Sequence, residues 1–198
     1  PVAPPTTQRP TIKPTPKETI RPTPRPQQTP GPTLLPTAHF DGVHQTDSTI
    51  RPAVKLWLED NEAAVHKYGQ IEDWDVSQVT DLSYLFCVRQ KEMEGDKHYK
   101  HCVLEEYART FDKDLSRWDT SSVTSFVRAF KGSAFNGDLS KWDVGRMTTL
   151  GYMFHDARRF NADLSRWDVG RVTDLTRAFR GAASFNADLS RWNVDRVT

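Results

Sequence analysis

The chain has 198 residues, 36% hydrophobic and 27% charged, and its 27 Lys and Arg are nearly cancelled by 26 Asp and Glu to a net charge of +1. That length holds one ordinary domain with or without a tail, and a mean hydropathy of −0.68 requires part of the chain to stay solvated. The charge balance gives no global reason to expect nucleic acid or an anionic membrane as partner; no run approaches about 18 apolar residues and the first residue is Pro1, so neither a membrane span nor a signal peptide is visible, and the chain reads as a processed or excised fragment.

Residues 1–37 cannot build a core. Twelve of the 13 prolines fall between Pro1 and Pro36, nine threonines lie among them up to Thr37, and the first aromatic residue is Phe40. Proline fixes φ and removes backbone donors, so this segment is expected to run as an extended, polyproline-II-like stalk at about 3.1 Å per residue. Arg9, Lys13, Lys17, Arg21 and Arg25 against Glu18 give it +4, leaving −3 on the remaining 161 residues. Two readings stay open for this tail: an anchor to acidic polysaccharide or cell wall, or a soluble stalk whose threonines suit O-glycans.

Residues 38–70 read as an N-terminal helical cap. Ile50, Val54, Trp57 and Leu58 recur at helical spacing, Asp47 or Ser48 is available as N-cap, and Pro52 falls in the first turn. A second short helix is expected from Ala63 to Tyr68, closing at Gly69.

From residue 71 to 198 the chain repeats. Trp74, Trp118, Trp142, Trp167 and Trp192 are separated by 44, 24, 25 and 25 residues, the first interval being one period plus 19. Seven residues before each of the last four stand Phe111, Phe135, Phe160 and Phe185, and three before stand Leu115, Leu139, Leu164 and Leu189. Val79, Val123, Met147, Val172 and Val197 lie five after, and Phe86, Phe130, Phe154 and Phe179 twelve after. Polar residues keep the same register: Asn136, Asn161 and Asn186 with Asp112 six before, Ser116, Ser140, Ser165 and Ser190 two before, and Thr80, Thr124, Thr148, Thr173 and Thr198 six after. Such columns predict a solenoid of coils of about 25 residues stacked at about 4.8 Å, the Asn, Ser and Thr side chains satisfying turn backbones. The spacing of Val172, Leu175, Ala178 and Phe179 predicts a short helix in each coil, begun at Thr173 and ended at Gly181, or Gly132 in an earlier copy. The stretch from Phe185 through Trp192 to Val194 is then the strand. The fold class is thus α/β, one short strand and one short helix per coil. Thr198 stops before the Leu and Phe positions of the last coil, so further repeats, or a frayed end, are expected.

An insertion at about 87–105 interrupts the register and holds the only two cysteines, Cys87 and Cys102. In a secreted protein their disulfide would close a charged loop and contribute about 3 kcal/mol by chain-entropy arithmetic. A zinc site from Cys87, His98, His101 and Cys102 is the sharper alternative, disfavoured because adjacent His101 and Cys102 make poor tetrahedral partners; free thiols are the third.

The run Phe185-Asn186-Ala187-Asp188-Leu189-Ser190-Arg191-Trp192-Asn193-Val194-Asp195-Arg196-Val197-Thr198 resembles the repeat of BspA-like leucine-rich-repeat surface proteins, F-N-x-D-I/L-S-x-W-x-V/T-x-x-V-T-x-M-x-x-M-F, and Trp142 to Phe154 is similar to its second half. The resemblance covers residues 71 to 198, and Ala53 to Gly69 looks like the family's N-terminal helix. It implies a leucine-rich-repeat-like solenoid, an extracellular or cell-surface location, and attachment to matrix or other cells. The chain departs from the pattern at Arg128 and Arg177 and by its insertion.

Two charged sets flank each tryptophan. Arg117, Lys141, Arg166 and Arg191 precede it; Asp119, Asp143 and Asp168 follow it, with Asp75 and Asn193 in the outer copies. A further column, Asp114, Asp138, Asp163 and Asp188, lies four before. Calcium ladders are disfavoured because the G-G-x-G-x-D nonapeptide is absent, and a solvated Arg/Asp ion-pair network is the simpler expectation. The cations and following aspartates also form the candidate binding face. No G-x-S-x-G, H-E-x-x-H or phosphate-cradling loop is present, so no catalytic residue, metal or cofactor is assigned. The expected function is a non-enzymatic adhesion or ligand-binding module for an extracellular matrix, glycan or cell-surface protein ligand, with no nucleic acid partner and no membrane span in this fragment. The alternative is an accessory or spacer module of a secreted enzyme whose catalytic domain lies elsewhere.

Overall fold

A computed structural model describes residues 43–89, 102–104 and 111–198; the Pro/Thr-rich stalk, His98, His101 and most of the insertion lie outside the described residues. The described part is a mixed helix and strand structure. Strand β1 (His44–Thr46) pairs in parallel with β2 (Asp75–Gln78), His44 opposite Asp75 and Thr46 opposite Gln78. Between them lie helices α1 (Ile50–Glu59) and α2 (Asn61–Tyr68). The amphipathic spacing of α1 buries Ile50, Ala53, Val54 and Trp57 as one stripe. Asp60, the residue that follows α1, serves at once as the cap of α2, accepting from the Ala63 amide at 3.0 Å, and Gly69 ends α2 at φ 72°.

The cap of α1 differs from the expectation. Thr49 holds that place without a side-chain bond to the helix, its hydroxyl accepting instead from the Thr46 amide at 2.8 Å, and Asp47 is engaged elsewhere. Its carboxylate accepts from the Thr80 amide (2.7 Å), the Thr80 hydroxyl (2.6 Å) and the Asp81 amide (3.0 Å). In later coils the corresponding amides of Thr124 and Thr173 donate to the carbonyls of Thr80 and Thr148 in the preceding coil, both at 2.8 Å. The first coil has no predecessor, and Asp47 supplies the missing acceptor.

Successive coils are joined along two edges. On one, each tryptophan indole donates backwards: Trp118 to the Ile71 carbonyl, Trp142 to Leu115, Trp167 to Leu139 and Trp192 to Leu164, at 2.8–3.0 Å. On the other, alternate amides donate forwards, as Leu150, Tyr152, Phe154 and Asp156 do to Asp174, Thr176, Ala178 and Arg180 at 2.7–2.9 Å. The amides between them close tight turns within the coil, Met153 to Leu150 and His155 to Tyr152.

This alternation overturns the expected helix and strand in each coil. Three-residue apolar spacing suits both a helix and a chain of three-residue turns. Here every second amide is drawn into the next coil, and the residue ten after the tryptophan is left-handed in all four copies: Tyr84 (φ 63°), Arg128 (57°), Tyr152 (59°) and Arg177 (52°). A helix cannot pass through such a residue. Thr173 therefore caps no helix; its amide and hydroxyl both reach the Thr148 carbonyl. Residues 185–194 likewise form no strand but irregular chain with one turn at 190–191, and among residues 111–198 extended pairing is confined to isolated parallel bridges, such as Thr149 with Asp174. Strands β3 (Val88–Arg89) and β4 (Val103–Leu104) pair in parallel at the root of the insertion.

The core is three columns of rings. Trp74, Trp118 and Trp142 stack at 6.4 and 6.3 Å between centroids, as do Trp167 and Trp192 at 6.3 Å. Phe86, Phe130, Phe154 and Phe179 stack at 5.3–5.6 Å. Phe111, Phe135, Phe160 and Phe185 pack against them, with centroids 3.8–4.6 Å away in their own coil. Leu115, Leu139 and Leu164 are fully buried, whereas Phe185 and Leu189 of the last coil are half-exposed. The ring spacings exceed the roughly 4.8 Å expected of strands because parallel rings pack offset.

Candidate functional site

The polar columns are spent on the coils themselves. Asn136, Asn161 and Asn186 donate their amides to the side-chain oxygens of Asp112, Asn136 and Asn161 at 2.7–2.9 Å, a ladder running from coil to coil. Asp114, Asp138, Asp163 and Asp188 each accept from the serine amide two residues on, at 2.8–2.9 Å. Asp119, Asp143 and Asp168 do the same for Ser121, Gly145 and Gly170. These are Asx turns, in which a short carboxylate substitutes for a backbone acceptor.

The predicted ion-pair network is therefore not what the aspartates form. Among the described residues Arg117 alone of the four cations makes an ion pair, and its partner is Asp73 rather than an aspartate after a tryptophan. A carboxylate that accepts two residues ahead turns toward its own backbone, which draws it away from the preceding cation. The turn bonds also set the acidities. The Ser121 hydroxyl and amide hold the Asp119 carboxyl below its ordinary value, against burial and the like charge of Asp75. The Ser165 amide and hydroxyl do so for Asp163, helped by Arg166 and Arg191.

Arg117, Lys141, Arg166 and Arg191 are all exposed, as are Asp119, Asp143 and Asp168. A shallow groove of about 510 Å³ between the last two coils brings Arg166 and Arg191 together with Asp163 and Asp188, and Asn161 and Ser165 complete its wall. The aspartates that meet the cations there are those four before the tryptophan, not those after it. Among the described residues no group of three or more His, Cys, Asp or Glu is placed to hold a metal ion. Cys87 and Cys102 are joined in a disulfide with Cα atoms 4.8 Å apart, immediately before the β3–β4 pairing of Val88 with Val103.

A second repeated surface lies ten residues after each tryptophan. The guanidinium carbon of Arg128 sits 5.4 Å from the Tyr84 ring centre and 4.6 Å from that of Tyr152; Arg177 sits 5.6 Å from Tyr152. Arg128 also donates to the Tyr84 hydroxyl (2.5 Å) and Arg177 to the Tyr152 hydroxyl (3.1 Å). Aromatic and cation thus alternate from coil to coil. In the sequence, Arg128 and Arg177 stand out only as departures from a repeat; read at their register with Tyr84 and Tyr152 they form a column.

His155 lies beside this column. Its Nδ1 is 2.8 Å from the Asp156 carboxylate but outside hydrogen-bonding geometry, so that buried nitrogen has no bonded partner. Burial lowers the imidazole's affinity for a proton, and Lys131, Arg180 and Arg177 lower it further against the pull of Asp156.

A family model described as "Mycoplasma protein of unknown function, DUF285" matches residues 59–96 and 100–198, and the chain belongs to that family. No curated protein and no solved structure matches the chain.

Proposed function

We propose that this DUF285 member is a leucine-rich-repeat-like solenoid acting, without catalysis, as an extracellular or cell-surface module for adhesion or ligand binding. The observation that carries this reading is the division of labour in each coil. Tryptophan, asparagine, threonine and aspartate hold coil to coil or close its turns, while exposed side chains such as Lys141, Arg166 and Arg191 recur once per coil with no ion pair among the described residues. An array of this kind displays one chemical group several times at fixed spacing, so weak contacts add on a multivalent partner. A disulfide between Cys87 and Cys102 supports an oxidising, extracellular setting. Helices α1 and α2 are too short and polar to cross a membrane, as are all helices among the described residues.

The test is an array of glycans and matrix proteins probed with the full chain. Saturable binding that weakens when Lys141, Arg166 and Arg191 are replaced by Gln supports the module and its face. Binding to nothing on the array leaves a purely structural spacer.

A further inference from the structure

The geometry points to the Tyr84–Arg128–Tyr152–Arg177 column and the arginines around it as a docking face for a linear, sulfated or carboxylated polysaccharide. This rests on the reading of the array as a binding module but uses residues other than the cations beside the tryptophans.

The folded part is slightly acidic, yet the three paired segments 127–134, 151–159 and 176–184 expose Arg158, Arg159, Arg177 and Arg180 with Arg128 half-buried beside them, and among exposed residues hold a single carboxylate, Asp156. The backbone puts these segments side by side: the Arg128 and Gly132 amides donate to Gly151 and His155, Tyr152 and Asp156 to Thr176 and Arg180, and Ser184 to Arg158. Arg158, Arg159 and Arg180 are exposed and make no ion pair among the described residues. The one carboxylate lies against His155.

Arg128 from the preceding coil and Arg177 from the following one both lie on Tyr152, so their guanidinium carbons are no more than about 10 Å apart. The rings fix the forks in place before any ligand arrives, which removes part of the ordering cost of binding. Each guanidinium has five N–H donors, and the tyrosine hydroxyl takes one. The rest suit sulfate or carboxylate oxygens, which arginine grips in pairs. The left-handed backbone at all four residues, where glycine would be less strained, shows that large side chains are held there against a local cost.

The surface also discriminates between polyanions. A protein partner is gripped by arginine and aromatic anchors set in an apolar, desolvated patch, and among the described residues Val194 is the one large hydrophobic side chain exposed, so the arginines here have no such patch around them. Single-stranded nucleic acid needs open aromatic faces on which bases stack, but Tyr152 is already flanked by two guanidinium groups. A flexible chain of sugars carrying regularly spaced anions needs neither.

The experiment compares the full chain with a variant carrying Arg158→Gln, Arg159→Gln and Arg180→Gln, which leaves the basic N-terminal segment intact. A second variant carries Lys141→Gln, Arg166→Gln and Arg191→Gln. The probes are size-defined heparin oligosaccharides, polygalacturonate, neutral dextran, phosphatidylserine vesicles and a single-stranded DNA oligomer. The expected result is salt-sensitive binding to heparin or polygalacturonate, weakened about tenfold or more with a shallower salt dependence in the first variant and by clearly less in the second. Circular dichroism of both variants should match the parent, since none of the six side chains is buried. Equal binding by parent and first variant would overturn the assignment, placing the polyanion on the tail or another face. Stronger binding to vesicles or DNA than to the glycans would overturn it too. Matrix-protein binding lost in the second variant, with no glycan bound, would sink this inference while leaving the binding-module reading intact.

Discussion

Replacing Asp47 by Ala tests whether the first coil depends on a borrowed acceptor. The carboxylate takes three hydrogen bonds from the start of the array, two from the amides of Thr80 and Asp81 and one from the Thr80 hydroxyl. The site is exposed, so water replaces part of what is lost, and the closest energetic analogue is deletion of a helix N-cap, about 1–2 kcal/mol. For a folded part of this size that corresponds to a fall in Tm of roughly 2–8 °C. Acidity gives the loss a signature. Burial raises the Asp47 carboxyl, but the Thr80 hydroxyl and the Thr80 and Asp81 amides outweigh it and hold the folded value below the ordinary one. The contribution is therefore complete above the unfolded value of about 3.9 and disappears as pH falls through the lower folded value. Urea unfolding followed by tryptophan fluorescence should show parent and Asp47→Ala separated at pH 7 and converging at an acid pH well below the ordinary carboxylate value. Asp47→Asn, which keeps an acceptor without the charge, should fall between them. Equal separation at both pH values would mean that Asp47 acts by some route other than its carboxylate bonds to Thr80 and Asp81.

Three other outcomes follow from the packing. Leu139→Ala should cost about 2–5 kcal/mol because Leu139 is fully buried between coils, whereas Leu189→Ala on the half-exposed last coil should cost clearly less; equal midpoint shifts in urea would contradict a core that thins toward its end. Gln45 is fully buried with both side-chain polar atoms lacking partners, so Gln45→Met is expected to raise stability by about 1–2 kcal/mol, and a lower Tm would show an acceptor that the packing does not reveal. Reducing Cys87–Cys102, or replacing both by Ser, should cost about 3 kcal/mol for a loop of this length, while leaving the stacked-ring near-ultraviolet signal of the later coils in place at low temperature.

The sequence shows the ring columns because burial demands the same bulky side chain at the same place in every coil: Trp118, Trp142 and Trp167 are readable by spacing alone. Helix α1 is legible for a similar reason, as four apolar residues at helical spacing need no distant partner to be recognised. The path of the coil between them is not. Whether the stretch from Leu150 to Ala157 is a helix or a series of turns depends on where the amides of Tyr152 and Phe154 donate, and their acceptors are Thr176 and Ala178 in another coil. Local spacing carries no record of that choice. The aspartates misled for a different reason. Asp163 beside Arg166 invites an ion pair, yet a serine two residues on makes the Asx turn the nearer option, and that i, i+2 spacing is present in every copy. The Tyr/Arg column was equally available at a single register and is invisible only when each coil is read alone.

The bonding polarity of the coils has a consequence for synthesis on the ribosome. Indole and threonine donors reach back to chain already made, but the amides at Leu150, Tyr152, Phe154 and Asp156 wait for carbonyls of residues 174–180. At about 5–20 residues per second, one period later means on the order of one to five seconds with a half-paired edge. A nascent array therefore always carries one unfinished coil at its growing tip, and a pause in translation prolongs the exposure of that single edge while the coils behind it stay closed.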